Sequence, residues 1–316
     1  MIYDVTHITT YHYRDAVSFS HHVLRLSPRA LPYQRTIEHT VKIDPVPAVT
    51  APHTDYFGNS VAFVAIEGAH HQLSITGRSR VSVLQPPIRE AAETPAWETV
   101  RELSRGEQIG AALDASEFIF NSPMITGSDE LADYAAASFL KDQPILESVL
   151  HLTNRIHRDF KFDPRATTVA TPLEEVFKHR RGVCQDFAHL QIGCLRSLGL
   201  PARYVSGYLE TDPPPGRPRL AGADASHAWI SFYSHGLGWI DVDPTNNLIP
   251  STRHITLAWG RDFSDVSPIR GVIHGSGDHS LSVAVDVIPS EKDEQPPDKS
   301  PSSDMSQSQG SQSQSS

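Results

Sequence analysis

The sequence predicts an α+β fold class in three stretches: a β-sandwich over residues 1–88, helices packed on an antiparallel sheet over 94–288, and a disordered tail over 289–316. Three observations carry that division. Apolar residues alternate with a period of two near the N-terminus, and after about residue 94 the period lengthens to that of a helix. The final residues are mostly Ser, Gln, Pro and charge. Within the middle stretch the helices come first and a run of strands follows, which favours α+β over a doubly wound parallel sheet.

Taken in order, Ile37, His39, Val41 and Ile43 alternate with Glu38, Thr40, Lys42 and Asp44, the pattern of a half-buried strand. Val61–Ile66 is a short apolar run suited to a strand covered on both faces. Ahead of it, Asp55–Asn59 reads as a hairpin turn in which Gly58 and Asn59 tolerate positive φ. Leu73, Ile75, Val81 and Val83 mark one face of a further strand, and Pro86-Pro87 punctuates the chain. Thr94-Pro95 has the form of a helix start. Ile145, Val149, Leu152, Ile156 and Phe160 step by four, three, four and four, which predicts an amphipathic helix. Thr171 and Glu174 have capping-box spacing, for a helix ending before Gly182. The next helix spans Cys184 to Leu198 and is stopped by Gly199 and Pro201. Strands follow at Ala202–Leu209, Ser226–Tyr233, Gly238–Val242 and Leu281–Val287. The Pro- and Gly-rich stretch Thr211–Asp224 reads as a connector, with a flap as the alternative.

Composition narrows the function. With 27 Lys and Arg against 37 Asp and Glu, the formal charge of −10 disfavours nucleic acid and anionic membrane surfaces as partners, because phosphate affinity needs clustered cations. No apolar run approaches the roughly 20 residues of a membrane span. The start lacks the basic and apolar regions of a secretory signal, and two cysteines cannot form a disulfide scaffold, so a reducing, cytoplasmic setting is expected. No phosphate-cradling glycine loop or zinc-type ligand spacing occurs, so no cofactor or metal is expected. Asp186 and His189 near Cys184 read as structural hydrogen-bonding groups, and the pairs His21-His22 and His70-His71 as solvated.

Cys184 stands at a predicted helix start, where unsatisfied N–H groups and the positive dipole end favour a thiolate and can later hold an oxyanion. Gly182 would let substrate or backbone come close, and Arg180-Arg181 reads equally as a solvated charge pair at a helix end or as a source of positive potential at the thiol. Position alone leaves an inert buried thiol as an equal reading, and for Cys194 burial in the core is the favoured one. His227, in Ser226-His227-Ala228-Trp229-Ile230, projects from a strand whose other face carries Ala228 and Ile230. Asp243 ends the next strand, Gly238–Val242, where a neighbouring-strand pairing sets a carboxylate beside His227. Taken singly, His227 reads as a structural histidine and Asp243 as a turn residue. Together with Cys184 they follow the order nucleophile, base and orienting group.

These residues resemble the transglutaminase-like (papain-like cysteine) superfamily. The likeness rests on Gly182 and Cys184 at a helix start, His227-Ala228-Trp229 on a strand, and Trp239 with Asp243-Pro244-Thr245 at a strand end. Gly199–Tyr208 is similar to the family's helix-to-strand crossing. Leu24–Arg29 and Asp55–Asn59 resemble a bacterial transglutaminase-like N-terminal region. The resemblance implies catalytic residues Cys184, His227 and Asp243, a thioester intermediate on the thiol, and a peptide or protein substrate. Peptidase or amidase activity is the expectation, with transglutaminase activity or non-catalytic peptide binding as alternatives.

Overall fold

The computed structural model describes residues 1–87, 89–106, 110–212, 225–275 and 277–290. Two long strands organise the first sheet. β1 (Ile2–Leu24) and β4 (Ser60–Val83) run antiparallel along most of their length, with register shifts between His12 and Phe19. Such irregularities bend a sheet. β2 (Gln34–Asp44) pairs with one end of β4 and β3 (Val49–Thr54) with the other. The runs Val61–Ile66 and Leu73–Val83 therefore belong to one strand. β2 lies at the sheet margin, and its alternation is weakly used: Ile37 and Val41 remain 42 % and 37 % exposed. The β3–β4 turn uses positive φ at Gly58 alone. Asn59 is buried, with its amide on Asp55 and on the Trp259 carbonyl.

A helical layer follows: α1 (Trp97–Arg105), α2 (Ala111–Ser116), α3 (Asp129–Ala136), α4 (Ile145–Asp159), α5 (Leu173–His179) and α6 (Cys184–Ser197). Two short parallel strands, β5 (Lys161–Phe162) and β6 (Arg181–Gly182), pair just ahead of α6. The second sheet comprises β7 (Ala202–Leu209), β8 (Ala225–Ser234), β9 (Gly238–Val242) and β10 (His254–Gly260), in the antiparallel order β10-β7-β8-β9. After α7 (Phe263–Val266), β11 (Ile269–His274) and β12 (His279–Ser290) return to the first sheet and pair with the two halves of β1.

The strand-rich N-terminal stretch is thus one hydrogen-bonded, bent sheet of six strands, two of them supplied by residues 269–290. The reason is the inner face shared by β1, β4 and β12. Tyr3, Val5, Val81, Val83, Val285 and Val287 are buried in the same core as Phe187, Leu190 and Ile230. Each such side chain contributes about 1.5–3 kcal/mol by leaving water. A smaller core, including Leu24, Val64, Ile66 and Leu73, fills the bent end.

Two helix starts differ from expectation. α1 begins at Trp97, and the Thr94 hydroxyl instead accepts from Leu146 N–H at the start of α4. Thr171 accepts from Thr168 N–H, and α5 begins after Pro172 without a capping box. In both cases a neighbouring donor has claimed the hydroxyl. Most of the 211–224 connector and residues 291–316 of the tail lie outside the described residues.

Candidate active site

α6 starts at Cys184 because Asp186 closes its first turn. The Asp186 carboxylate accepts from Val183 N–H at 2.8 Å and from the Thr167 hydroxyl at 2.6 Å. A Cβ on Gly182 would lie 2.5 Å from Asp186 Oδ2, so the glycine makes room for this carboxylate. The close approach expected at this glycine, of substrate or backbone, is made by this side chain. Burial raises the Asp186 carboxyl above its ordinary range, against the two hydrogen bonds. Cys184 is partly exposed at this turn, where N–H groups have no intrahelical acceptor. Cys194 is fully buried, and desolvation pushes its thiol up to about 12.

β8 and β9 bring the other two residues together. The pairing Ile230↔Val242 sets the strands in register, and Asp243 follows directly at the end of β9. His227 Nε2 lies 2.7 Å from Asp243 Oδ2. This leaves Nδ1 as the ring nitrogen for the Cys184 thiol, which is within hydrogen-bonding reach. Burial works against a charged His227 ring. The hydrogen bonds to Asp243 and Cys184, and the charges of both partners, outweigh it and raise the imidazole to about 10. Asp243 is fully buried. Burial would raise its carboxyl, but His227, His254 and Asn246 hold it far below the usual range.

Asp243 does more than sequence reasoning assigned to it. Oδ1 accepts from Thr245 N–H and Asn246 N–H, at 2.9 and 3.2 Å. Oδ2 accepts from the Asn246 amide at 2.7 Å and meets a second imidazole, His254 Nε2, at 3.3 Å. His254 Nδ1 accepts from Ser251 N–H, which leaves Nε2 as the donor to Asp243. Trp229 braces both rings, 6.1 Å from His227 in a stacked arrangement and 5.2 Å from His254 edge-on. Its indole donates to Asp241. Gly207, opposite His227, allows this: a Cβ there would lie 2.4 Å from the Trp229 ring. His254 has no sequence motif around it, and the strand that carries it, β10, is absent from the strands the sequence predicts.

Other groups around the site have partners of their own. The Arg180 guanidinium stacks over Phe177 at 4.3 Å and over Phe160 at 4.6 Å, and Arg181 approaches Asp163, so both have partners other than the thiol. Asp186 and His189 make structural hydrogen bonds, Asp186 to Val183 N–H and Thr167 and His189 Nε2 accepting from Phe263 N–H. Among the described residues, the group compact enough to hold a metal is His227, Asp243 and His254, with candidate ligand atoms within 4.8 Å of one another. His22 and His70, expected to be solvated, are buried in the first sheet.

A cleft of about 330 Å³ opens over Cys184 and His227. Tyr204, Ser206 and Ala228 of the second sheet line one side of it. Burial, with Cys184 and two carboxylates nearby, raises the Tyr204 phenol well above its ordinary value, so this residue of the cleft lining keeps its hydroxyl proton. The arrangement brings together a thiol, a charged imidazole, a carboxylate that fixes the ring, and N–H and O–H donors in one cleft, a set suited to acyl transfer.

Comparison with known proteins shows the family of the chain. Residues 3–82 match the bacterial transglutaminase-like N-terminal region, and residues 133–244 match the transglutaminase-like superfamily core. An uncharacterized protein of Mycobacterium tuberculosis is 41 % identical over 301 residues, covering 92 % of this chain and 94 % of the relative. A protein-glutamine gamma-glutamyltransferase of Pseudomonas aeruginosa is 30 % identical over 121 residues, or 38 % of this chain and 18 % of that protein. The fold is similar to that of a candidate cysteine protease from Cytophaga hutchinsonii, with a TM-score of 0.72, 21 % identity and 92 % of each chain covered. The chain belongs to the transglutaminase-like superfamily and carries the bacterial transglutaminase-like N-terminal region.

Proposed function

We propose that the protein is a cysteine-dependent acyl-transfer enzyme acting on amide bonds, with water as the principal acceptor. The observation that carries this reading is the line from the Cys184 thiol through His227 to Asp243 at the floor of an open cleft. With the thiol proton already resting on His227 Nδ1, Cys184 Sγ attacks the amide carbonyl carbon. The resulting oxyanion is held by N–H groups of the first turn of α6, with the Tyr204 hydroxyl as second donor. His227 then returns the proton to the leaving amine as the C–N bond breaks, which leaves a thioester on Cys184. Water, deprotonated by His227, attacks the thioester, expels the thiol and releases the acid. Asp243 fixes the ring and balances its charge, while His254 and Asn246 hold Asp243 in place as positioning residues.

A primary amine in place of water would make the same machinery a transglutaminase, a reading favoured by the similarity to the Pseudomonas aeruginosa enzyme. The test is to trap acyl-enzyme from a peptide library by mass spectrometry, on the natural chain and on Cys184→Ala. An acyl adduct on Cys184 that is absent from the variant is expected. The same adduct on both proteins overturns the role of this thiol. Adding a primary amine during turnover separates the acceptors by whether acid or substituted amide accumulates.

A further inference from the structure

The wall of the cleft opposite the second sheet is built by the first sheet, and it continues the face that docks the two sheets together. Along β12, Val287 and Val285 are buried, while Val283 and Leu281, at the same two-residue spacing, are 50 % and 54 % exposed. Along β1 the partners are Val5, His7, Thr9 and Tyr11, in the register Val5↔Val287, His7↔Val285, Thr9↔Val283 and Tyr11↔Leu281. The apolar face thus leaves the core and overhangs the site, where Tyr11, Leu281 and Val283 line the same cleft as Cys184. His7 anchors the overhang. Its Nδ1 meets the Tyr208 hydroxyl of β7 at 2.9 Å and its Nε2 meets Thr9 Oγ1 at 3.0 Å. Burial lowers this imidazole to about 4, so it stands neutral at physiological pH.

We infer that this overhang selects the acyl group: Tyr11, Leu281 and Val283 receive a bulky apolar side chain next to the scissile carbonyl of the substrate. The inference rests on the acyl-transfer reading above and adds the substrate class to it. Covering two half-exposed aliphatic side chains is favourable at about 25 cal/mol per Å² of apolar surface removed from water. Among the described residues, no Asp, Glu, Lys or Arg lines the cleft, and both nitrogens of His7 are occupied. A charged substrate side chain at the overhang would therefore lose its hydration with no counter-charge there besides the catalytic groups themselves. The N-terminal sheet is a specificity element as well as a scaffold.

The test uses the full chain and fluoromethyl ketones that differ in one side chain, namely Leu, Phe, Glu or Lys, beside the reactive carbonyl. The second-order rate of Cys184 alkylation is read against iodoacetamide, which carries no side chain. The Leu and Phe probes are expected to exceed the Glu and Lys probes by a factor on the order of 10–200. Leu281→Glu should bring the Lys probe level with or above the Leu probe. Leu281→Ala and Val283→Ala, which keep the backbone pairing, should narrow the ratio. Val272→Glu, on β11 and outside the cleft lining, should preserve it. Probes that label Cys184 at side-chain-independent rates, or a ratio unmoved by the Leu281 and Val283 changes, overturn the role of the overhang and leave the acyl-transfer reading standing. If iodoacetamide labels Cys184 and no carbonyl probe does, the acyl-transfer reading falls and takes this inference with it.

Discussion

The two cysteines of α6 sit on one helix and have opposite chemistry. Cys184 occupies the first turn, partly exposed, with a charged imidazole in reach. Cys194, in the helix body, touches only the core and is held as a neutral thiol by desolvation. Neither the residue type nor the helix decides reactivity. The surroundings do, and they differ here: unsatisfied N–H groups and an imidazole within reach at one position, core side chains at the other.

The largest effect that could break this comparison is loss of the thiol itself. Cys184→Ala should lower turnover by a factor on the order of 10⁶, as when one member of a catalytic unit is removed. Cys194→Ala should leave iodoacetamide labelling of Cys184 intact and destabilise the fold by about 1–2 kcal/mol in urea titration. Equal labelling of the two thiols at neutral pH would erase the contrast.

Asp243→Asn is expected to cost a factor on the order of 10⁴ in kcat, because a neutral amide cannot balance the imidazolium. It should also move the alkaline limb of the pH–rate profile down from about 10, the value to which His227 is raised. Stability should follow the same groups. The His227 contribution is present in full below its ordinary 6.5 and is lost as pH rises towards about 10. The Asp243 contribution is present above its ordinary 3.8 and is lost only as pH falls through its depressed folded value. Denaturant midpoints measured between pH 4 and 10 should therefore decline on the alkaline side, and less so in Asp243→Asn.

Tyr204→Phe sharpens the picture of the cleft. A fall of about 10²-fold in kcat is expected with the rate of iodoacetamide labelling unchanged, since alkylation develops no oxyanion. An unchanged kcat would remove Tyr204 as an oxyanion donor. The smallest effect belongs to His254→Gln. It should cost roughly tenfold in kcat, the worth of one hydrogen bond to a charged group, about 1.5 kcal/mol. The alkaline limb should shift with it, a change that a purely packing role would not produce.

Cys184, His227 and Asp243 were legible because each sits on a local element with its own signature: a helix start, an alternating strand and a strand end before proline. Their meeting needs only that β8 and β9 be neighbours. His254 was not legible. It reaches Asp243 through β10, which joins the sheet beside β7 rather than beside the strand preceding it in the chain. The membership of β11 and β12 in the first sheet was hidden for the same reason, since their partner β1 lies at the other end of the sequence. Thr94 and Thr171 show the converse, with correct local cap chemistry redirected by the donors at Leu146 and Thr168. Gly182 was noticed, but its reason, the Asp186 carboxylate, required the folded turn.

The pairing of β1 with β12 fixes where attachments to this molecule must emerge. Ile2 lies beside Ser290, whereas Tyr11 and Leu281 mark the cleft end of the same ladder, nine residues further along. At strand rise that is about 30 Å. A fluorophore, affinity tag or fusion partner joined ahead of residue 2 or just after residue 290 would leave from one shared corner, well away from the thiol. The two attachment points would also be close enough to report on each other, by energy transfer or engineered crosslinking, as a direct gauge of whether that ladder is intact.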